Sequence, residues 1–117
     1  MAKVLKEQIT ELQKLCDDVY KMTIKSDYIA QNALPGQFIN VRCGDIDALL
    51  RRPISICDVN RAENTIDIVF QVKGTGTKKL SCKYTGEVDI MAPLGKPFII
   101  DNKHKNIVVV GGGIGIF

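Results

Sequence analysis

The sequence predicts an all-β protein with one main domain, built as a small barrel or sandwich. Short segments of alternating apolar and polar residues recur at near-regular spacing, and turn residues separate them. The length of 117 residues suits one domain, and 45% apolar with 25% charged residues is typical of a globular chain. Only residues 107–110 differ, because they are apolar on both faces and run directly into a glycine-rich turn.

The first stretch, residues 4–16, is compatible with two structures. Its apolar positions have helical spacing, and its Glu, Gln, Leu and Lys residues favour a helix. The same residues also alternate, with Leu5, Glu7, Ile9 and Glu11 on one side of a possible strand. Periodicity alone favours the helix and leaves the strand open.

The rest of the chain divides into strands, turns and one short helix. The residues from 65 to 73 form the clearest strand, because Ile66, Ile68 and Phe70 alternate with polar positions. This strand follows a short loop after the strand at 52–59, so the two are predicted to form a hairpin. The other predicted elements are strands at 20–25, 37–41 and 86–91, turns at 33–36 and 92–95, a loop or single helical turn at 45–50, and a helix at 77–83.

Charge and the start of the chain argue against several classes of function. The net charge of +3 is small and the lysines are scattered, so no basic stripe for nucleic acid is present. No apolar run approaches the roughly 20 residues that cross a bilayer. The chain also turns polar before the core of a signal peptide could form. We therefore expect a cytoplasmic protein with no nucleic-acid partner and no membrane partner.

The cysteines and the histidine do not predict a metal site or a catalytic site. Four widely spaced cysteines without a Cys-x-x-Cys pair argue against zinc and iron–sulfur sites. We expect buried, reduced thiols that pack as small apolar groups. His104 lies between lysines, so we expect an exposed side chain without a catalytic role. No residue is assigned to catalysis. The cysteines are Cys16, Cys43, Cys57 and Cys82.

Two short motifs could bind a phosphorylated ligand. In Gly74-Thr75-Gly76-Thr77 the glycines allow close approach of the backbone, and the start of the following helix favours a phosphate. Taken alone, such a turn is more often only a turn. Arg52 could be ordinary surface charge, yet a guanidinium beside the fixed backbone of Pro53 also suits a diphosphate.

In combination, the motifs are more specific, and the chain resembles the ferredoxin reductase superfamily. Arg-Pro-Ile-Ser-Ile at 52–56, Gly-x-Gly-Thr at 74–77, Pro-Leu-Gly at 93–95 and Gly-Gly-Gly-Ile-Gly at 111–115 occur in the order found there. The Leu-Pro-Gly-Gln-Phe turn at 34–38 fits the same pattern. The Arg-Pro-Ile-Ser version looks like the electron transfer subunits of class B dihydroorotate dehydrogenase. The resemblance spans nearly the whole chain and corresponds to about the first half of such a subunit.

The resemblance implies an antiparallel Greek-key β-barrel that binds FAD, and it makes residues 4–16 a strand. Residues 1–100 would be the FAD-binding domain. Residues 101–117 would be a linker with the first strand and glycine turn of a truncated, NAD-binding-like α/β domain. Arg52 would contact the FAD diphosphate. A second strand that contacts FAD, and a turn that contacts its diphosphate, would lie further along the chain. The implied cofactor-binding residues are Arg52, Pro53, Ile54, Ser55, Val69, Phe70, Gln71, Gly76 and Thr77.

The resemblance also implies a role in electron transfer. In the parent family FAD takes electrons from a [2Fe–2S] centre and passes a hydride to NAD⁺, and both of those sites would lie outside this chain. The implied partner is the catalytic subunit of dihydroorotate dehydrogenase, in a heterotetramer that serves pyrimidine biosynthesis. Two alternatives stay open: a reductase subunit that serves another acceptor, and a β-barrel interaction module without flavin.

Overall fold

A computed structural model describes residues 1–43 and 51–117, so the loop or turn predicted at 45–50 lies outside the described residues. Within the described residues the chain forms six strands and two short α-helices, and a 3₁₀ turn near its end. The elements are β1 (Lys3–Cys16), β2 (Val19–Lys25), α1 (Asp27–Asn32), β3 (Phe38–Arg42), β4 (Arg52–Asn60), β5 (Thr65–Gln71), α2 (Thr75–Leu80), β6 (Glu87–Leu94) and the 3₁₀ turn Gly113–Ile116.

The six strands close into an antiparallel barrel. Their order around the barrel is β1-β2-β5-β4-β3-β6, and β6 pairs with β1 to complete the ring. The consecutive strands β3, β4 and β5 lie side by side, and β6 returns to pair with β3. This arrangement is a Greek key. The predicted all-β Greek-key barrel and the predicted β4–β5 hairpin are therefore confirmed.

Alternating side chains on the strands fill the interior of the barrel. In a strand successive side chains point to opposite faces, so every second residue of β2, β3, β5 and β6 reaches the core. Full burial of one such aliphatic side chain is worth about 1.5–3 kcal/mol. The fully buried strand residues are Met22, Ile24, Ile39, Val41, Ile66, Ile68, Val88, Ile90 and Ala92.

The first stretch is a strand, as the family resemblance implied, and the helix that periodicity favoured is wrong. β1 pairs with β2 and β6, and its register against β2 shifts between Ile9 and Glu11. A bulge of this kind moves the inward-facing positions by one residue. Leu5 and Ile9 therefore face inward before the shift and Leu12 after it, which reproduces helical spacing in an extended chain.

A second short helix, α1, was not predicted, so the expectation of one helix is corrected to two. Ser26 precedes it in extended conformation, and its hydroxyl accepts a hydrogen bond from the Ile29 backbone N–H at 3.2 Å. Asp27 places a negative charge in the first turn, where the helix dipole is positive. Ile29 and Ala30 are fully buried, so α1 packs an apolar side against the barrel.

The strand predicted at residues 107–110 does not form in the structure. These four residues have no assigned secondary structure, and their side chains are 59–90% exposed. A strand that is apolar on both faces needs neighbouring strands on each side, and none of the described strands lies beside it. The division into a barrel at 1–100 and a separate unit at 101–117 stays a prediction. Among the described residues, no helix is long and apolar enough to span a bilayer.

Candidate functional site

The candidate site lies where β4 and β5 separate. Ladder pairs join these strands from the hairpin turn to Ile56 and Ile68, and stop there. Beyond that point the first residues of β4 pair only with β3, and the last residues of β5 pair only with β2. Backbone groups that would otherwise complete the ladder therefore face the gap between the two strands.

A cavity of about 520 Å³ fills this gap. This is within the range of roughly 300–1,000 Å³ that is usual for small-molecule and cofactor sites. Eight of the nine predicted cofactor-binding residues line it, and Gly76 is the one that does not. The full lining is Arg52, Pro53, Ile54, Ser55, Val69, Phe70, Gln71, Lys73, Gly74, Thr77, Ile114, Gly115 and Phe117.

The wall formed by β4 alternates between exposed and buried side chains, and both kinds line the cavity. Ile54 is buried, whereas Pro53 and Ser55 on either side of it are exposed. Pro53 has no N–H to donate, so it is tolerated only where a strand lacks one neighbour. The β4 segment without a β5 partner meets this condition. Pro53 and Ser55 thus project on one side, and Ile54 gives that wall an apolar interior.

The wall formed by β5 is apolar and supported from behind. Val69 and Phe70 are buried, and Gln71 is half-buried at the end of the strand. The Phe70 ring stacks on the Tyr20 ring of β2, with centroids 6.0 Å apart and planes 19° from parallel. Offset stacking of this kind adds about 0.5–1.5 kcal/mol to the burial of the rings. The position of Phe70 is therefore well fixed.

The turn before α2 is built by the hydroxyl of Thr77. Its Oγ1 accepts hydrogen bonds from the backbone N–H groups of Lys73 at 2.9 Å and Gly74 at 3.2 Å, and donates to the Gly74 carbonyl. The helix begins at Thr75 rather than at Thr77, so the predicted start of the helix is wrong. Thr77 instead lies inside the first turn and closes the loop back on itself.

Gly76 has a structural position rather than a place on the cavity surface. It is buried in the first turn of α2, and it lies in sequence between Gly74 and Thr77, which do line the cavity. The backbone N–H groups of a first helical turn have no intrahelical carbonyl partner. Gly76 thus shapes the turn that Gly74 and Thr77 present to the cavity.

Five lining residues were not among those predicted. Lys73 directly precedes the predicted glycine turn and Gly74 is its first residue, so their position in sequence was the signal that could have found them. Ile114 and Gly115 belong to the 3₁₀ turn, which contacts β5, and Phe117 is the residue after that turn. No sequence pattern indicated that this segment would cover the barrel.

The lining of the cavity contains both cationic and apolar groups. Arg52 and Lys73 provide cationic side chains, whereas Val69, Phe70 and Phe117 provide apolar surface. A ligand with a flat apolar ring and an anionic tail would match both parts. The lining contains no carboxylate that would repel an anion.

The thiols are free, but only part of the expectation about them is confirmed. Cys43 is buried and Cys57 is half-buried, whereas Cys16 and Cys82 are exposed, which the sequence did not predict. Burial raises the pKa of the Cys43 thiol, and the positive charges of Arg52 and Lys83 oppose that shift. Burial also raises the pKa of Cys57, and the negative charges of Asp67 and Asp58 add to the effect. Within the described residues no group of three His, Cys, Asp or Glu side chains could hold a metal ion.

Comparison with known proteins identifies the relatives of the chain. No protein-family model matches it. It is 39% identical over 112 residues to the electron transfer subunit of dihydroorotate dehydrogenase B (NAD(+)) from Fusobacterium nucleatum, covering 92% of this chain and 43% of that subunit. It is also 39% identical over 117 residues to the subunit of the same name from Desulforamulus reducens, covering 98% and 45%. The chain therefore spans less than half the length of the curated relatives it matches.

Solved structures share the fold. The chain is similar to one from an NADH-dependent reduced ferredoxin-NADP oxidoreductase, with a TM-score of 0.74, 31% identity, and coverage of 82% of this chain and 35% of that one. A phthalate dioxygenase reductase gives a TM-score of 0.65 at 20% identity, covering 87% and 33%, and supports the fold alone. The predicted resemblance to dihydroorotate dehydrogenase B electron transfer subunits, and the ferredoxin-reductase-like barrel, are confirmed.

Proposed function

We propose that this chain, a homologue of part of the dihydroorotate dehydrogenase B electron transfer subunits, is an FAD-binding electron-transfer domain. The observation that carries the proposal is the cavity between the separated halves of β4 and β5. It combines apolar walls with cationic side chains, and it lies within the part of the chain that resembles those subunits.

The residues of the cavity fit FAD. The isoalloxazine ring is flat and largely apolar, and it matches the surface formed by Val69 and Phe70 and the buried Ile54. The diphosphate carries negative charge, which suits the guanidinium of Arg52 and the ammonium of Lys73. Ser55 has a hydroxyl on the exposed side of β4 that can donate to, or accept from, a polar edge of the ring.

Each part of the lining has a definite task in this proposal. Arg52 binds the diphosphate, and Thr77 holds the turn that brings Gly74 close to it. Buried Val69 and Phe70 exclude water from one side of the ring. When bound, flavin supplies the one- and two-electron redox chemistry that amino-acid side chains lack, and the protein contributes binding, orientation and electrostatics.

The wider role that we propose follows from the names of the curated relatives. As part of an electron transfer subunit, the domain would pass electrons between an iron–sulfur centre and NAD. Its partner would be the dihydroorotate dehydrogenase catalytic subunit, in a heterotetramer that serves pyrimidine biosynthesis in the cytoplasm. The homology to these subunits over about nine-tenths of the chain supports this role.

A second candidate is a reductase subunit that serves a different acceptor. The structure with a TM-score of 0.74 and 31% identity is from a ferredoxin-NADP oxidoreductase, which favours this alternative at the level of the barrel. Co-purification with a dihydroorotate dehydrogenase catalytic subunit separates the two candidates. A stable complex supports the first role, and failure to associate in the presence of FAD supports the second.

Flavin content tests the proposed function directly. The purified chain is examined by visible absorption, and any cofactor released on denaturation is identified by chromatography. Apoprotein is then titrated with FAD, riboflavin and a control nucleotide without a flavin ring. We expect a flavin spectrum, FAD as the released cofactor, and saturable binding that prefers FAD to riboflavin. A colourless chain that does not bind added FAD would contradict the proposal and favour the flavin-free interaction module.

A further inference from the structure

Two adjacent arginines stand at the start of β4, and the structure gives them different surroundings. Arg52 is the first residue of the strand and lines the cavity. Arg51 precedes it and pairs with Asp89 of β6 instead. Side chains of successive residues in an extended chain point to opposite sides, so one arginine can face the ligand while the other is held by the barrel.

The contact between Arg51 and Asp89 has two hydrogen bonds. Arg51 Nη2 donates to Asp89 Oδ1 at 2.8 Å, and Arg51 Nη1 donates to the Asp89 backbone carbonyl at 3.3 Å. The two side chains are only 23% and 22% exposed. Partial burial and a second bond to the main chain distinguish this pair from an ordinary surface ion pair, which contributes little.

The pair holds a part of β4 that has a neighbouring strand on one side only. The first residues of β4 have β3 on one side and the cavity on the other, because the β4–β5 ladder stops at Ile56. β6 lies beyond β3, so Arg51 reaches across β3 to Asp89. The Arg51–Asp89 contact therefore anchors the start of β4 where no hydrogen bonds to β5 hold it.

We infer that Arg51 is a positioning residue for the flavin site, which rests on the proposed function above. Its ion pair with Asp89 fixes the backbone at the start of β4. That backbone in turn sets the direction in which Arg52 presents its guanidinium to the diphosphate. Arg51 does not contact the ligand, and its effect is confined to ligands that carry the anionic group.

The test compares FAD with riboflavin, which has the same ring and no diphosphate. Dissociation constants for both are measured with the 117-residue chain and with Arg51→Ala, Arg51→Lys, Asp89→Ala and the charge swap Arg51→Asp with Asp89→Arg. Arg61→Ala is the matched control. It removes an arginine just beyond the other end of β4, where Nη2 donates to the Ala33 carbonyl at 2.9 Å.

We expect Arg51→Ala and Asp89→Ala to raise the dissociation constant for FAD by about tenfold, because a charge-assisted contact is lost. The constant for riboflavin should change less than about twofold, and the charge swap should restore part of the FAD affinity. Arg61→Ala should leave the ratio of the two constants unchanged. If Arg51→Ala unfolds the chain, Arg51→Lys is used, with a smaller selective loss expected.

Equal losses of affinity for FAD and riboflavin, or no loss for either, would overturn the inference. A residue with a purely structural role would affect the binding of both ligands alike. This failure is separate from failure of the proposed function. If the unaltered chain binds FAD, only the role of Arg51 is overturned. If the unaltered chain does not bind FAD, the proposed function falls and this inference falls with it.

Discussion

Arg52 brings a permanently charged guanidinium to the cavity wall, and the buried Ile54 two residues later holds that part of β4 against the core. A planar guanidinium can form two parallel hydrogen bonds to a phosphate group, which an ammonium cannot. We therefore predict that Arg52→Ala weakens FAD binding by about ten- to a hundredfold, equivalent to about 1.4–2.8 kcal/mol. Arg52→Lys should recover part of the loss. Fluorescence titration with FAD measures both.

Riboflavin is the internal control for Arg52, because it lacks the group that the guanidinium binds. The dissociation constant for riboflavin should be nearly the same in Arg52→Ala and in the unaltered chain. A large loss of riboflavin binding would mean that Arg52 supports the ring or the fold instead. The melting temperature of each apoprotein separates those two possibilities.

The buried thiol of Cys43 makes stability depend on pH in the alkaline range. Burial raises its pKa in the folded chain above the ordinary value of 9.0. Below that value the thiol is neutral in both states, and stability does not depend on it. As pH rises above about 9, the unfolded chain loses the proton first, so the free energy of unfolding falls by up to about 1.4 kcal/mol per pH unit.

We predict that Cys43→Ala reduces this alkaline loss of stability. Chemical denaturation of both proteins at about pH 8 and about pH 10 measures it, and other titrating groups cancel in the comparison. Cys57 should leave a residual dependence, because its pKa is raised as well. An identical loss of stability in the two proteins would contradict a buried neutral thiol at position 43.

At the scale of elements, the turn before α2 depends on one hydroxyl. Thr77 Oγ1 accepts from the backbone at Lys73 and Gly74, two residues that line the cavity. We predict that Thr77→Val, which keeps the shape and removes the hydroxyl, lowers the free energy of unfolding by about 1 kcal/mol. It should also weaken FAD binding, since the turn loses its fixed form.

Thr77→Ser is the control for this turn. Serine keeps the hydroxyl, so both stability and FAD affinity should stay close to those of the unaltered chain. Denaturation without flavin and titration with FAD give the two values. A serine variant as impaired as the valine variant would show that the methyl group, rather than the hydroxyl, determines the turn.

A strand could be predicted from sequence wherever it contains no bulge of its own, because every second residue then faces the core along its whole length. β5 meets this condition, since Ile66, Ile68 and Phe70 face the core in sequence. β1 does not, because its register shifts after Ile9 and only that residue of the strand is buried. Helix α1 was missed although Ser26 and Asp27 form a recognisable start, because its six residues are too few for a periodic pattern.

The candidate site was predictable only in part for a similar reason. Arg52 and Thr77 belong to short motifs whose chemistry is visible in sequence, and the role of β5 as a wall of the site follows from the resemblance. The gap between β4 and β5 depends on where their ladder ends, which is a property of pairing rather than of composition. The covering of the cavity by Ile114 and Phe117 depends on the path of a chain without regular structure.

At the scale of the whole molecule, the six described strands form a closed barrel. Closure of a sheet removes its edge strands, whose unpaired backbone groups could otherwise form hydrogen bonds with other chains. The described strands close into a ring of six, and the cavity lies where two neighbours in that ring, β4 and β5, separate. This separation is thus used as the candidate binding site.

The segment beyond the barrel should be dispensable for folding. The buried apolar residues all lie between Ile9 and Ala92, and every residue from 101 to 117 is exposed. We predict that a chain of residues 1–100 melts within about 4 °C of the full chain, since less than about 1 kcal/mol should be lost. It should also self-associate less, because the exposed apolar residues 107–110 are gone. Calorimetry and size-exclusion chromatography with light scattering measure the two effects. A melting temperature lower by 10 °C or more would show that residues 101–117 stabilise the barrel through contacts of their own. In that case the expected boundary at residue 100 would be wrong, and the cover formed by Ile114 and Phe117 would belong to the fold as well as to the cavity.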